Sequence, residues 1–216
     1  MKKIASPLFQ DLSEAELDTL AAAGHLRTRQ FAKHEVIFHA GSCVREIGIV
    51  LRGSVHIENL DLWGTKSILS SVGAGQAFAE TYAFCGEALM VDAVAAEHCE
   101  ILFLHTAALT DARIEPALQD KLLRRLLAVS MRKNLSLSQR IFCTTPKTVR
   151  GRLLTYFSAQ AARSGSLQFE IPFNRQQLAD YLNLDRSALS KELCKMRDEG
   201  LLEFDKNRFV LKQLPE

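Results

Sequence analysis

Arg186, Ser187, Ser190 and Lys191 fall on one side of a helix that starts after Asp185, with Leu189, Leu193 and Met196 on the other side. Asp185 is a favoured N-cap residue. A guanidinium fork at Arg186 matches the O6 and N7 acceptors of guanine, Lys191 can reach a base or a phosphate, and the two serines permit close approach. An apolar back with this polar front suits the DNA major groove. Just upstream, Asn174 and Gln177 have the spacing of a capping box, which puts Arg175 and Gln176 in the first turn of a preceding helix. A helix N-terminus and an arginine both favour phosphate, so Asn174, Arg175 and Gln176 are candidate backbone contacts that position without reading sequence. Residues 203–212, EFDKNRFVLK, read as a hairpin turning at Asp205–Asn207. Two helices joined by a tight turn and followed by a hairpin make a winged helix-turn-helix.

Other elements must carry this pair. From about Glu115 to Phe142 apolar residues recur at helical spacing. Leu118, Leu122, Leu126 and Val129 form one stripe; Leu127, Met131 and Leu135 form a second. One stripe can pack on the chain's own N-terminal part and the other on a second subunit. Thr144, Thr145 and Pro146 break the pattern, and a new helix is expected from Pro146 to about Ala162. SGSLQFEIPF then supplies a loop and a strand. Towards the N-terminus, Ser13 and Glu16 form a capping box on a helix closed by Gly24. The runs RTRQF, EVIF, EIGIVL, SVHIENL, KSILSSV, MVDAVAA and EILFL follow, separated by breakers that include Gly41, Gly53, Gly64, Gly73 and Gly75. Their even spacing predicts an antiparallel barrel or roll.

Composition narrows the classes. The chain has 216 residues and is 47% hydrophobic, enough for one or two cores. It contains no apolar run long enough to span a membrane. Lys2 and Lys3 are followed by SPLFQDLSEAE rather than an apolar leader, so a cytoplasmic location is expected. Net charge is +2, and residues 143–216 carry 12 Lys/Arg against 9 Asp/Glu, which suits nucleic acid. Five cysteines without a CxxC argue against a disulfide framework or a structural zinc site. Glu46 and Gly53 match the end of a cupin metal motif, but the paired histidines before them are missing. No nucleophile–base pair or phosphate-cradling glycine loop occurs, so no catalytic residue and no metal site is expected. A sensor acting on a protein partner is the alternative to a DNA reader, and the winged C-terminal part argues against it.

The whole chain resembles the Crp/Fnr family of bacterial transcription regulators. The resemblance rests on Arg175-Gln176-Gln177-Leu178-Ala179, on Arg186-Ser187-Ala188-Leu189-Ser190-Lys191-Glu192-Leu193 and on Glu199-Gly200-Leu201-Leu202, with Gly41 and Gly53 at the family's turn glycines. It implies an α+β fold: an N-terminal antiparallel β-roll of the cyclic-nucleotide-binding type (residues 1–113), a long dimerisation helix (114–143) and a C-terminal winged helix-turn-helix (144–216). It also implies a homodimer on a near-palindromic duplex, with RNA polymerase as a further partner and no membrane association. Where one member of the family has Arg-Glu, this chain has Arg186-Ser187. A glutamate accepts from a base amino group, and serine cannot replace its charge. The half-site is therefore expected to keep a guanine for Arg186 and to differ at the neighbouring position.

The resemblance also places the sensor site. Cyclic-nucleotide binders of the family hold the phosphate with Gly-Glu and, further along, Arg-Ser/Thr. Here Gly75 and Glu80 align, Ala79 replaces the glycine, and Met90-Val91 stand in the Arg-Ser/Thr positions. A buried phosphate needs a charge partner or a set of donors, so the chain reads as belonging to a branch that does not use cyclic AMP. The effector-pocket candidates are Gly75, Glu80, Thr81, Tyr82, Met90 and Val91, and the effector is unknown. An iron–sulfur cluster of the family's type needs cysteines before Cys43, and none is present. Haem on one of six histidines, a thiol response at Cys85 or Cys99, and a small anion or organic acid near Glu80, Thr81 and Tyr82 stay open.

Overall fold

The computed structural model describes residues 4–60 and 66–212. Lys2, Lys3 and the breaker Gly64 lie outside the described residues. The chain packs as two compact units, Met1–Arg132 and Lys133–Glu216.

In the first unit a short 3-10 turn (Pro7–Phe9) precedes α1 (Glu14–Ala22), whose capping box is formed: Ser13 Oγ accepts from Glu16 N at 3.2 Å, and Ser13 N donates to Glu16 Oε2 at 2.8 Å. Then come β1 (Leu26–Phe31), β2 (Val36–Phe38), β3 (Glu46–Arg52), β4 (Val55–Leu60), β5 (Lys66–Val72), β6 (Ala77–Phe78), α2 (Glu80–Cys85), β7 (Asp92–Ala95) and β8 (Cys99–His105). Two four-stranded sheets result, ordered β1-β8-β3-β6 and β2-β7-β4-β5, and every pairing is antiparallel. First strands pair with last ones, which is how a meandering chain rolls its sheets face to face. Between them lies an aromatic cluster, with Phe103 edge-on to Phe31 and Phe38 at 6.1 and 5.6 Å. Gly48 leaves room for another ring, since a Cβ there would lie 2.2 Å from Phe78 Cζ.

β6 and α2 escape the periodicity argument, being two and six residues long. Ala79 caps α2 with φ +61°, a left-handed conformation that an L side chain adopts at a cost. Glycine removes that cost, so Ala79→Gly is expected to stabilise this unit by about 1 kcal/mol, less its extra unfolded-chain entropy. Thermal unfolding checks it: the transition rises by a few degrees, whereas an unchanged or lower midpoint contradicts the strain.

α3 (Pro116–Thr144) follows. Its Leu118, Leu122 and Leu126 are buried in a core with Leu8, Phe9, Leu17 and Leu20, while Val129 is half-buried. Lys121 Nζ donates to Glu16 Oε1 at 2.6 Å, and Arg125 pairs with Asp11. Leu127, Met131 and Leu135 are exposed, at 55%, 54% and 63%. No helix among the described residues is long and apolar enough to cross a membrane.

The second unit comprises α4 (Val149–Ser164), β9 (Gln168–Glu170), α5 (Arg175–Leu182), α6 (Arg186–Asp198), β10 (Leu202–Asp205) and β11 (Arg208–Leu211), with the sheet ordered β10-β11-β9. The helix expected to open at Pro146 begins instead at Val149. Thr148 is the better cap, its Oγ1 accepting from Gly151 N at 3.0 Å, and Pro146 closes the turn before it. Phe157 and Phe209, 4.5 Å apart, centre the core, joined by Leu178, Leu182, Leu189 and Leu193.

Candidate nucleic-acid interface

The helix pair is held from both ends. Asn174 Oδ1 accepts from Gln177 N, and Gln177 Oε1 accepts from Asn174 N, both at 2.9 Å, so the capping box of α5 is formed. At the other end Asn183 takes φ +53°, the left-handed residue that turns the chain toward α6. Two arginines neutralise the negative end of α5 there. Arg140 donates to the carbonyls of Asp180 and Tyr181, each at 3.0 Å; Arg152 donates to those of Leu182 at 3.0 Å and Asn183 at 2.7 Å. Arg150 of α4 donates to Glu192 Oε1 at 2.6 Å and to both oxygens of Glu199 at 2.7 and 3.0 Å, fixing α6 from behind. The Glu199 and Glu192 carboxylates hold its guanidinium above the ordinary arginine range, and Arg150 draws Glu199 below the usual carboxylate range. Nothing in the local sequence marks these three arginines, because the α5 and α6 groups they bind lie 30 or more residues away.

On α6, Leu189, Leu193 and Met196 are fully buried. Arg186, Ser187 and Lys191 are exposed and Ser190 is half-buried. Arg186 and Lys191 make no hydrogen bond or ion pair among the described residues, so both are free to meet a ligand. Ser187 is engaged: its Oγ donates to Asp185 Oδ1 at 2.5 Å, and the same oxygen accepts from Ala188 N at 2.9 Å. These two bonds hold the Asp185 carboxyl below its usual range, so it stays ionised.

The first-turn residues of α5 divide. Asn174 and Gln176 are exposed, Gln176 donating to Asp180 Oδ1 at 2.8 Å. Arg175 is half-buried, its guanidinium 4.8 Å from the Phe204 ring centroid and 5.1 Å from that of Phe209, and burial lowers its proton affinity. Its guanidinium packs α5 against the wing. Pro172, Phe173, Asn174, Arg175, Lys206 and Asn207 line a cleft between the start of α5 and the wing turn.

The expected effector residues stand on different elements of the roll. Gly75 sits in a turn at φ +82°, its N donating to Val50 O at 2.8 Å. Glu80 is buried and Thr81 exposed at the start of α2, and Tyr82 packs into the roll. Met90 is 77% exposed and Val91 half-buried, since β7 begins only at Asp92. A groove of about 260 Å³ lies between α2 and α3, walled by Phe84, Cys85, Leu123, Leu126 and Leu127, with Glu80, Thr81 and Ser130 as its polar members. Gly75, Tyr82, Met90 and Val91 are not among its walls.

Comparison with known proteins adds two matched regions: a cyclic nucleotide-binding domain over residues 28–113 and a Crp-like helix-turn-helix domain over residues 151–216. The transcriptional activator protein FnrA of Stutzerimonas stutzeri is 24% identical over 188 residues, covering 82% of this chain and 73% of that protein. The catabolite activator protein of Thermus thermophilus is 26% identical, with a TM-score of 0.50 and coverage of 96% of this chain and 94% of that one. CprK complexed with OCPA shares the fold at a TM-score of 0.65 and 13% identity, covering 94% and 91%.

Proposed function

The chain belongs to the Crp/Fnr family of DNA-binding transcription regulators, and from that premise we propose that it acts as a homodimer placing one α6 in each half of a near-palindromic site. The observation that carries this reading is α6 itself, with Arg186, Ser187 and Lys191 exposed over a back of fully buried Leu189, Leu193 and Met196. Arg186 reads a guanine, Lys191 and Ser190 supply base or phosphate contacts, and Asn174 and Gln176 contact the backbone. Arg175, packed on the Phe204 and Phe209 rings and lining the same cleft as Asn174, is a further backbone contact.

The exposed stripe of Leu127 and Met131 on α3 supports dimerisation, because it is a continuous apolar surface on a helix whose other side is already packed. Sensor domain, long helix and reader domain then take the approximate bounds 1–113, 114–143 and 144–216. A small molecule in the sensor domain shifts an equilibrium between two dimer arrangements and so sets DNA affinity. Cyclic AMP is disfavoured as that molecule, since the side chains of exposed Met90 and half-buried Val91 offer its phosphate neither charge nor donors. The protein works in the cytoplasm, with RNA polymerase as its downstream partner, and the reading assigns it no catalytic step.

Selection of bound duplexes from a random pool tests this. The expected product is an inverted repeat with half-site centres spaced by whole helical turns and a guanine in each half. Enrichment of no sequence, or of a single unrepeated site, contradicts the proposal.

A further inference from the structure

The first turn of α6 carries a feature that residue type alone does not show. A free serine hydroxyl can donate or accept, so it discriminates poorly between bases. The hydroxyl of Ser187 is not free. Its oxygen lies 2.5 Å from Asp185 Oδ1, and Asp185, ionised and able only to accept, must take the serine's proton in that bond. Ser187 Oγ is left with lone pairs and no proton to offer outward. Asp185 is itself fixed, because the same Oδ1 caps the helix through Ala188 N at 2.9 Å. The exposed surface beside Arg186 is therefore an acceptor of fixed polarity, reinforced by the carboxylate behind it.

We infer that Ser187, polarised by Asp185, reads a base bearing an exocyclic amino group, cytosine N4 or adenine N6, at the base pair next to the guanine read by Arg186. In the major groove these two amino groups are the donors, whereas thymine O4 and guanine O6 are acceptors and meet the lone pairs of Ser187 unfavourably. Ser187 is the specificity-determining residue and Asp185 its positioning residue. The pair supplies an acceptor where serine alone offers none of fixed polarity, so the neighbouring position keeps an amino-bearing base instead of differing there as the serine by itself implies. The inference rests on α6 being the DNA-reading helix.

The test is bound-duplex selection with the full chain in three forms: unchanged, Ser187→Ala and Asp185→Ser. Serine at 185 retains a capping hydroxyl while removing the carboxylate. The unchanged protein should prefer C or A over T or G beside the guanine by about fivefold, the size of one net hydrogen bond. Ser187→Ala should abolish that preference, and Asp185→Ser should widen it to admit T or G. Both variants should keep the guanine, which reports an intact fold and an engaged helix in the same experiment. Enrichment of T or G beside the guanine by the unchanged protein overturns the inference, as does an unaltered preference in Ser187→Ala. If the unchanged protein enriches no guanine-bearing half-site, the assignment of α6 as the reader fails and this inference falls with it.

Discussion

Arg186→Ala is expected to weaken binding to the selected inverted repeat by about 1–3 kcal/mol per half-site and to remove the guanine preference there. The side chain is exposed at the first position of α6 and has no partner among the described residues, so truncation disturbs nothing in the free protein. Its cost is then a cost of recognition. Two half-sites are lost at once in a homodimer, so the effect on the whole operator approaches twice that on either half. Lys191→Ala serves as the contrast. If Lys191 holds a phosphate, its loss weakens binding to all sequences alike and lowers the salt dependence by about one ion per half-site, leaving the guanine in place. Electrophoretic mobility shifts on the operator and on guanine-substituted variants check both. Retained affinity and guanine preference in Arg186→Ala would place the reading residue elsewhere.

The double substitution Leu127→Glu and Met131→Glu should yield a folded monomer with little affinity for the operator. Both side chains are more than half exposed in the single chain, so charge costs the monomer little. In a dimer the same carboxylates would be desolvated against an apolar partner, at several kcal/mol each. The buried stripe of Leu118, Leu122 and Leu126 is untouched, so the sensor core stays intact. Tethering two readers raises operator affinity by roughly 10²- to 10⁴-fold over one reader alone, and that gain disappears with the dimer. Sedimentation with an operator titration checks the claim: a dimer that survives both charges would move the interface off this stripe.

Much of this architecture is legible in the residues. Capping boxes are local, four residues long, so Ser13–Glu16 and Asn174–Gln177 can be read directly. The β-branched runs located the long strands, and the spacing of Leu189, Leu193 and Met196 separated the back of α6 from its front. What escaped is short or non-local. β6 and α2 have too few residues for periodicity. Pro146 looked like a helix opener because proline suits a first turn, yet Thr148 captured the cap. Arg140, Arg150 and Arg152 act across tens of residues, and the packing of Arg175 on Phe204 and Phe209 depends on where the wing folds back. The six sensor candidates follow a linear cassette; Met90 is exposed, and Glu80 and Thr81 line the groove between α2 and α3. The Ser187–Asp185 bond is the closest case. Both residues stand in the sequence, and only the folded first turn of α6 shows that they are bonded to each other.

The central claim is that two copies of α6 read two related half-sites at once. It is tested most directly by comparing the intact operator with a duplex of equal length in which one half-site is scrambled. Scrambling should cost the wild-type protein at least about 100-fold in affinity. It should cost the Leu127→Glu, Met131→Glu monomer no more than about twofold, the statistical factor for losing one of two equal sites. Equal wild-type affinity for the two duplexes would contradict the account.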